Sequence, residues 1–157
     1  MISTTSSDEK TELLKKLGAD HIFNYKSEKN WGEEAKKLTP GGEGVSHVIE
    51  VGGPNTMKQS LKAIKLEGEI AVIGFLGGVK GEDVPSTLDA LTYQCTIKGF
   101  LVGSRELFED LVRAVDANKI KPVIAEKTFE FNEVKEAYQY MWDQKHTGKV
   151  VIKVSGD

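Results

Sequence analysis

The spacing of apolar and polar residues predicts two neighbouring buried strands. Two runs are almost continuously apolar, and each ends in glycines: residues 46–54 (SHVIEVGGP) and residues 69–78 (EIAVIGFLGG). Continuous apolar strands are typical of a parallel sheet that is covered on both faces. Glycines directly after such strands let a ligand approach the backbone at the carboxyl edge of the sheet, where open α/β sheets bind ligands. The pattern therefore predicts a ligand-facing edge.

The rest of the chain continues this alternation of strand and helix. Strands are predicted at 2–5, 21–25, 45–51, 69–74, 96–102, 128–131 and 150–154, by their short apolar runs. Helices with an apolar stripe are predicted at 6–17, 31–38, 54–64, 104–118 and 132–144. Strands that alternate with helices at this spacing indicate βαβ units and a right-handed, mostly parallel sheet. The predicted fold class is therefore α/β, with a doubly wound sheet.

Composition narrows the possible partners. The chain has 157 residues and a formal net charge of −3, which makes nucleic acid an unexpected partner. Cys95 is the single cysteine, so an intramolecular disulfide is impossible and a reducing compartment is indicated. No apolar run approaches the roughly 18 residues of a membrane span, and the first residues do not resemble a signal peptide. We expect no membrane partner and a cytoplasmic location, with an organelle left open.

A set of short segments, in the same order and spacing, carries a resemblance to a known superfamily. The segments are TTSSDEK (4–10), LGADH (17–21), NY (24–25), VIEVGG (48–53), GEIAVIG (68–74), GSR (103–105), IKPV (120–123) and GKVVI (148–152). Together they resemble the medium-chain dehydrogenase/reductase superfamily, and within it the zinc-type alcohol dehydrogenase-like and quinone oxidoreductase-like branch. The resemblance extends from about Met1 to Val154.

The resemblance implies a partial Rossmann fold that lacks its first strand and its glycine-rich loop. No G-x-G-x-x-G motif occurs in the sequence, and residues 2–5 align with the second Rossmann strand. Residues 1–125 would form an incomplete NAD(P)-binding Rossmann domain, and residues 126–157 a segment that returns to the catalytic domain. That domain carries the family's zinc ligands. One cysteine and three scattered histidines cannot rebuild a zinc site, so we expect neither zinc nor a catalytic residue in this chain.

A candidate phosphate site follows the first strand. Hydroxyls at a helix start, next to the Lys10 ammonium, can form a small anion site. An ordinary capping box, with Ser6 and Glu9 at the required spacing, explains the same residues, and the two interpretations are compatible. By resemblance, Ser7, Lys10 and Tyr25 would bind the adenosine 2′-phosphate of NADP(H). This favours NADP(H) over NAD(H) as the cofactor.

Further cofactor contacts are implied at the ends of the later strands. By resemblance, the cofactor's ribose, pyrophosphate and nicotinamide carboxamide would lie against the following residues: Val51, Gly52, Gly53, Gly74, Phe75, Leu76, Phe100, Leu101, Val102 and Lys149. A tight turn before Pro54 and plain core strands are the alternative explanation. Thr147 stands where the family often has an aromatic residue. Glu50, inside an apolar strand, is interpreted as a hydrogen-bonded structural carboxylate rather than an acid catalyst.

Two functional hypotheses follow, and whether this chain alone is an enzyme stays open. The first is the NADP(H)-binding portion of a zinc-type alcohol dehydrogenase-like oxidoreductase, which in the intact family transfers hydride to or from a carbonyl, alcohol or enone. We expect this chain to be inactive alone. The alternative is a non-catalytic binding or assembly module, or a truncated fragment that dimerises. A missing first strand would leave unpaired backbone groups in the sheet, and family dimers commonly pair the edge strand near 96–102. We therefore expect a homodimer through that edge.

Overall fold

A computed structural model describes residues 1–81, 84–144 and 146–156, which form two compact units that meet in sequence at Val102 and Gly103. The strands of the first unit are β1 (Ile2–Thr5), β2 (His21–Asn24), β3 (Val45–Glu50), β4 (Ile64–Val72) and β5 (Thr96–Gly99). Its helices are α1 (Thr11–Lys16), α2 (Trp31–Lys37), α3 (Pro54–Ala63) and α4 (Leu88–Thr92). The second unit contains α5 (Arg105–Ala117), β6 (Ile124–Glu130), α6 (Val134–Trp142) and β7 (Lys149–Lys153).

The first unit contains two parallel sheets, one of order β1-β2 and one of order β3-β4-β5. In the second sheet Val48 lies opposite Ile70, which lies opposite Ile97. In the Rossmann order 3-2-1-4-5-6, β1 and β2 correspond to strands 2 and 3, and β3, β4 and β5 correspond to strands 4, 5 and 6. Within the described ranges, no strand pairs with the second edge of β1 or of β3. The prediction of an α/β, partial Rossmann fold is confirmed.

The core of the first unit lies between α3 and the β3-β4-β5 sheet. Leu61, Ile64 and Ile70 are fully buried, and the residues packed against them are Val45, Val48, Met57, Val72, Tyr93 and Cys95. Leu61 and Met57 lie on one face of α3, Tyr93 and Cys95 lie between α4 and β5, and the other side chains come from β3 and β4. Burying a side chain such as Leu61 stabilises the fold by about 1.5–3 kcal/mol.

Helices α2 and α3 pack closely against each other. The Gly32 amide N–H in α2 donates to Oε1 of Gln59 in α3 at 3.0 Å, and the Lys62 ammonium lies 2.8 Å from the Glu33 carboxylate. The α2 helix follows the β1-β2 sheet in sequence, whereas α3 follows β3. This helix pair therefore joins the two halves of the first unit.

The second unit has its own small core. Strands β6 and β7 pair in parallel, and α6 lies between them in sequence. Phe129 is 0% exposed, and its ring centroid lies 5.6 Å from that of Tyr140. At the start of α5, Ser104 Oγ accepts a hydrogen bond from the Leu107 amide at 3.2 Å, so Ser104 is the N-cap of this helix.

Several predicted boundaries were wrong. The predicted capping box of Ser6 and Glu9 is absent: Ser7 is the N-cap of a 3₁₀ turn, Asp8–Lys10, and makes no side-chain cap hydrogen bond. Strand β4 begins at Ile64 rather than at 69, because Ile64 pairs with Val45 before a register shift. Strand β5 ends at Gly99, so Phe100, Leu101 and Val102 follow it instead of belonging to it.

The boundary between the two compact units differs from the predicted functional boundary. The compact units divide after Val102, so α5 belongs to the second unit, whereas the sequence predicted a functional boundary at 125. That functional boundary stays a prediction.

In the described part of the chain, no helix combines the length and apolar character that crossing a bilayer requires.

Candidate functional site

The carboxyl ends of β3 and β4 lie side by side. Backbone amides that follow β4 donate to carbonyls at the end of β3, each at 2.9 Å: Ile73 to Glu50, Leu76 to Val51 and Gly77 to Gly52. The two glycine-ended runs that the sequence singled out are thus brought together. Their ends form one edge, because carboxyl ends of parallel strands meet on the same side of a sheet.

The two backbone segments that follow β3 and β4 approach so closely at this edge that glycine is required. Gly53 has φ +85°, and a Cβ placed there would lie 3.0 Å from the Phe75 Cα. A Cβ at Gly77 would lie 2.8 Å from the Gly52 carbonyl oxygen. The first position needs a conformation that L side chains rarely adopt, and both need the space of a missing side chain. Phe75 and Leu76 remain 62% and 78% exposed, so their apolar side chains are open to a ligand.

Glu50 organises the turn formed by Gly52 and Gly53, here called the Gly52/Gly53 turn. Its Oε1 accepts hydrogen bonds from the Gly52 amide at 2.8 Å, the Gly53 amide at 3.0 Å and the Thr56 hydroxyl at 2.6 Å. Its Oε2 accepts a hydrogen bond from the Ser60 hydroxyl. The side chain is 3% exposed, so these donors replace the water that it loses. The interpretation of Glu50 as a structural carboxylate is confirmed.

Asn55 is a residue that the sequence analysis missed. Its Nδ2 donates to the Gly77 carbonyl oxygen at 2.8 Å, which ties the loop after β4 to the first turn of α3. An asparagine directly after the proline that begins a helix was the available signal, because its short side chain often bonds to nearby backbone. The distance in sequence, 22 residues, hid the partner.

Ser7, Lys10 and Tyr25 lie at the carboxyl ends of the β1-β2 sheet. The Ser7 amide donates to Thr5 Oγ1 at 3.2 Å, and the Tyr25 amide donates to the Thr5 carbonyl at 3.0 Å, so both residues flank the buried Thr5. The Lys10 amide donates to the Ser7 carbonyl at 3.3 Å within the same turn. The structure therefore brings these three residues to one sheet end.

The charges near Lys10 are arranged unevenly. Among the described residues, none forms an ion pair with the Lys10 ammonium, which is half-buried. The neighbouring Asp8 carboxylate accepts a hydrogen bond from Nδ2 of Asn24 at 2.8 Å. The sequence analysis also missed Asn24 as the hydrogen-bond partner of Asp8. Lys10 is consequently a cation that this strand end offers to an anion.

The remaining predicted contacts lie at two places. The Phe100 amide donates to the Val72 carbonyl at 2.9 Å, which sets Phe100 beside the end of β4; Leu101 and Val102 follow it and are almost fully exposed. Lys149 begins β7 in the second unit, where its amide donates to the Val123 carbonyl at 2.8 Å. The structure thus adds Phe100 to the edge formed by β3 and β4.

Two further features concern metal binding and the thiol of Cys95. No group of three or more His, Cys, Asp or Glu side chains that could bind a metal ion occurs among the residues that the structure describes. Burial raises the pKa of the Cys95 thiol above its ordinary value. A raised pKa lowers the thiolate fraction, so Cys95 is a poor nucleophile.

The comparison with known families identifies the chain. The model of the zinc-binding dehydrogenase family matches residues 1–117. The chain belongs to this family, and with it to the medium-chain dehydrogenase/reductase superfamily, as its segments predicted.

Curated relatives support the same assignment. A zinc-type alcohol dehydrogenase-like protein of Schizosaccharomyces pombe is 44% identical over 96% of this chain and 44% of its own length. Quinone oxidoreductase-like protein 2 of Bos taurus is 32% identical over 98% of this chain and 45% of its own length. The chain spans less than half the length of these relatives.

Solved structures show the same fold. A 2-haloacrylate reductase has a TM-score of 0.78 and is 28% identical over 99% of this chain and 50% of its own. A benzyl alcohol dehydrogenase from Acinetobacter calcoaceticus has a TM-score of 0.74. It is 29% identical, and the match covers 98% of this chain and 42% of its own. A mycobacterial protein solved in complex with NADPH has a TM-score of 0.75 at 21% identity, a likeness of fold alone.

Proposed function

We propose that this chain is the NADP(H)-binding portion of a zinc-type alcohol dehydrogenase-like oxidoreductase. The observation that carries the proposal is the shared edge of β3 and β4, where Gly53 and Gly77 leave no room for a Cβ and two backbones meet. Open α/β sheets bind nucleotides outside such carboxyl ends. Membership of the zinc-binding dehydrogenase family agrees with this use of the edge.

The residues present fit a nicotinamide dinucleotide. When bound, the cofactor carries a hydride to or from a carbonyl, alcohol or enone carbon, and the protein supplies position and environment. Phe75 and Leu76 offer exposed apolar surface next to the glycine edge, which suits the uncharged ring of the reduced nicotinamide and excludes water from one of its faces. Ser7 and Tyr25 add hydroxyl groups at the neighbouring strand end.

Lys10 supports NADP(H) rather than NAD(H). A 2′-phosphate requires positive charge where NAD-preferring domains carry an acid. Lys10 is a cation at that position without an ion-pair partner among the described residues, whereas Asp8 is engaged by Asn24. The structural neighbours include an NAD-dependent alcohol dehydrogenase as well as the NADPH complex, so the preference depends on these local charges.

Nucleotide titration of the full chain tests the cofactor assignment. We expect NADPH to bind more tightly than NADH, and Lys10→Ala to weaken NADPH about tenfold while leaving NADH unchanged, since only NADPH carries the extra phosphate. Lys16→Ala, an exposed lysine on α1, is the matched control and should change neither affinity. Binding of neither nucleotide would overturn the cofactor assignment, and equal affinities would overturn the NADP(H) preference.

We further infer that the chain does not turn over substrate alone. It spans less than half of its curated relatives, and by resemblance the substrate-binding domain lies in their additional length. The purified polypeptide, supplied with zinc, should bind NADPH but show no NADPH oxidation with an enone or aldehyde. Steady oxidation that follows polypeptide concentration contradicts this inference.

A homodimer through β5 is the second candidate function, that of an assembly module. All four residues of β5 are exposed, and among the described strands β5 pairs with β4 alone. The Phe100 amide faces β4, so by alternation the Gly99 amide faces the free edge. Gly99→Pro removes this outward donor, whereas Gly99→Ala keeps it. Sedimentation should show a dimer that Gly99→Pro alone dissociates; a monomeric wild type contradicts the proposal.

A further inference from the structure

The backbone polar groups of the Gly52/Gly53 turn are already used within the protein. Both amide N–H groups donate to Glu50 Oε1. The Gly52 carbonyl accepts a hydrogen bond from the Gly77 amide, and the Gly53 carbonyl accepts bonds from the amides of Thr56 and Met57. A ligand that reaches this turn therefore finds neither of the two glycine amides free to donate to it.

An anionic group of the protein lies where other glycine turns bind a phosphate. At such turns, backbone N–H groups at the start of a helix point at the phosphate, and the helix dipole favours its negative charge. Here α3 begins at Pro54, directly after the turn, and the carboxylate of Glu50 accepts from the two preceding amides. A second anion would meet the Glu50 charge in a buried, weakly screened environment.

We propose that Glu50 is the positioning residue that makes the Gly52/Gly53 turn reject phosphate and accept an uncharged part of its ligand. In the reduced dinucleotide, that part is the dihydronicotinamide riboside, which is uncharged, and the pyrophosphate is bound elsewhere. The naming of the ligand rests on the proposed function. The exclusion of phosphate from the turn rests only on the Glu50 contacts.

Two hydroxyl donors complete the arrangement from one side of α3. Thr56 and Ser60 are four residues apart, so both face the carboxylate, and they donate to its two different oxygens. Glu50 is thus bound through both oxygens by the turn and the helix. Glutamine has nearly the same shape and keeps an acceptor at the Oε1 position, whereas alanine empties the space.

The first experiment tests Glu50 without any nucleotide. Inorganic phosphate is titrated into the ¹⁵N-labelled full chain, and the amide resonances of Gly52 and Gly53 are followed. In the wild type and in Glu50→Gln we expect no saturable shift, because an acceptor of the protein occupies both amides. Saturable movement of these two resonances in the wild type overturns the proposal.

Chemical rescue tests whether the Glu50 carboxylate is the anion that the amides of Gly52 and Gly53 bind. Glu50→Ala should lower the melting temperature, and added formate should restore part of the loss and shift the Gly52 and Gly53 amides saturably. Thr56→Val is the matched control: it removes one donor but keeps the carboxylate, so its melting temperature should not respond to formate. A folded Glu50→Ala that ignores formate contradicts the proposal. If that variant does not fold, the wild-type phosphate titration still decides.

A second experiment tests which part of the ligand meets the turn. Reduced nicotinamide riboside is uncharged, and reduced nicotinamide mononucleotide differs from it by one phosphate. We expect the wild type to bind the two within about threefold of each other; at least tenfold tighter mononucleotide binding that shifts Gly52 and Gly53 overturns the proposal. If NADPH and both probes fail to bind, the proposed function is wrong, while the phosphate and formate results still decide the role of Glu50.

Discussion

The backbone of Gly32 in α2 lies against the carbonyl oxygen of Gln59 in α3. A Cβ built at Gly32 would be 2.1 Å from that oxygen, far inside van der Waals contact. The clash is with backbone, which cannot rotate away as a side chain could. The absent side chain at Gly32 therefore sets how closely the two helices, and with them the two halves of the first unit, can pack.

Gly32→Ala should destabilise the protein strongly, despite alanine's better helix propensity. We expect a loss of about 3 kcal/mol, because overpacking forces the helices apart. Urea unfolding measures this difference. The matched control is Gly99→Ala, since a Cβ there meets no atom within 4 Å. A neutral Gly32→Ala is incompatible with the observed helix contact.

The ion pair between Lys62 and Glu33 predicts a pH-dependent stability. The hydrogen bond and charge of Lys62 lower the pKa of the Glu33 carboxyl below its ordinary value. A depressed folded-state pKa stabilises the protein above the unfolded-state pKa, and this stabilisation is lost as the pH falls through the folded-state value. Lys62→Met should therefore be less stable than the wild type at about pH 7, and this difference should shrink as the pH falls below the unfolded-state pKa of the carboxyl. Thermal unfolding across this pH range measures it; a difference that stays constant into acid indicates lost packing instead.

The burial of Phe129 predicts that the second unit can be destabilised without destabilising the first. Phe129 is 0% exposed and packs against Tyr140, so Phe129→Ala leaves a cavity that costs about 3–5 kcal/mol. Amide hydrogen exchange should accelerate in β6, α6 and β7 and stay unchanged at buried positions such as Ile70. Equal acceleration in both units would show that they unfold together.

Cys95 predicts slow alkylation. Burial raises the pKa of its thiol, so less thiolate is present at a given pH and access is restricted. Iodoacetamide should modify the folded chain more slowly than the chain in urea, as followed by mass spectrometry. Identical rates in the folded and unfolded chain would show that the thiol is free in the fold.

The elements that were predictable are those whose signal is local. The continuous apolar runs before Gly52 and Gly74 marked β3 and β4, because a strand buried on both faces needs apolar residues at consecutive positions. The capping contact of Ser104 is equally local, because its partner, Leu107, is three residues away. Strand starts were less predictable: Ile64 became strand because it pairs with Val45, a contact that helix periodicity does not reveal.

The chemistry of the candidate site depended on distant contacts. The sequence indicated that Glu50 is structural but did not show its donors, because Thr56 and Ser60 reach it only after the chain turns into α3. Asn55 and Gly77 are separated by 22 residues and meet only when β3 and β4 pair.

By itself, the sequence determined the family, the parallel α/β class and the strands whose ends could face a ligand, because these follow from local periodicity and from collinear motifs. The tertiary structure decided which groups remain available at those ends. Pairing of β3 with β4 and the turn into α3 engage the amides of Gly52 and Gly53 with Glu50, while Lys10 keeps its charge free of an ion pair among the described residues. Hydrogen bonds between distant residues are settled only by folding, so the structure was needed to show which amides and charges stay available at the two strand ends.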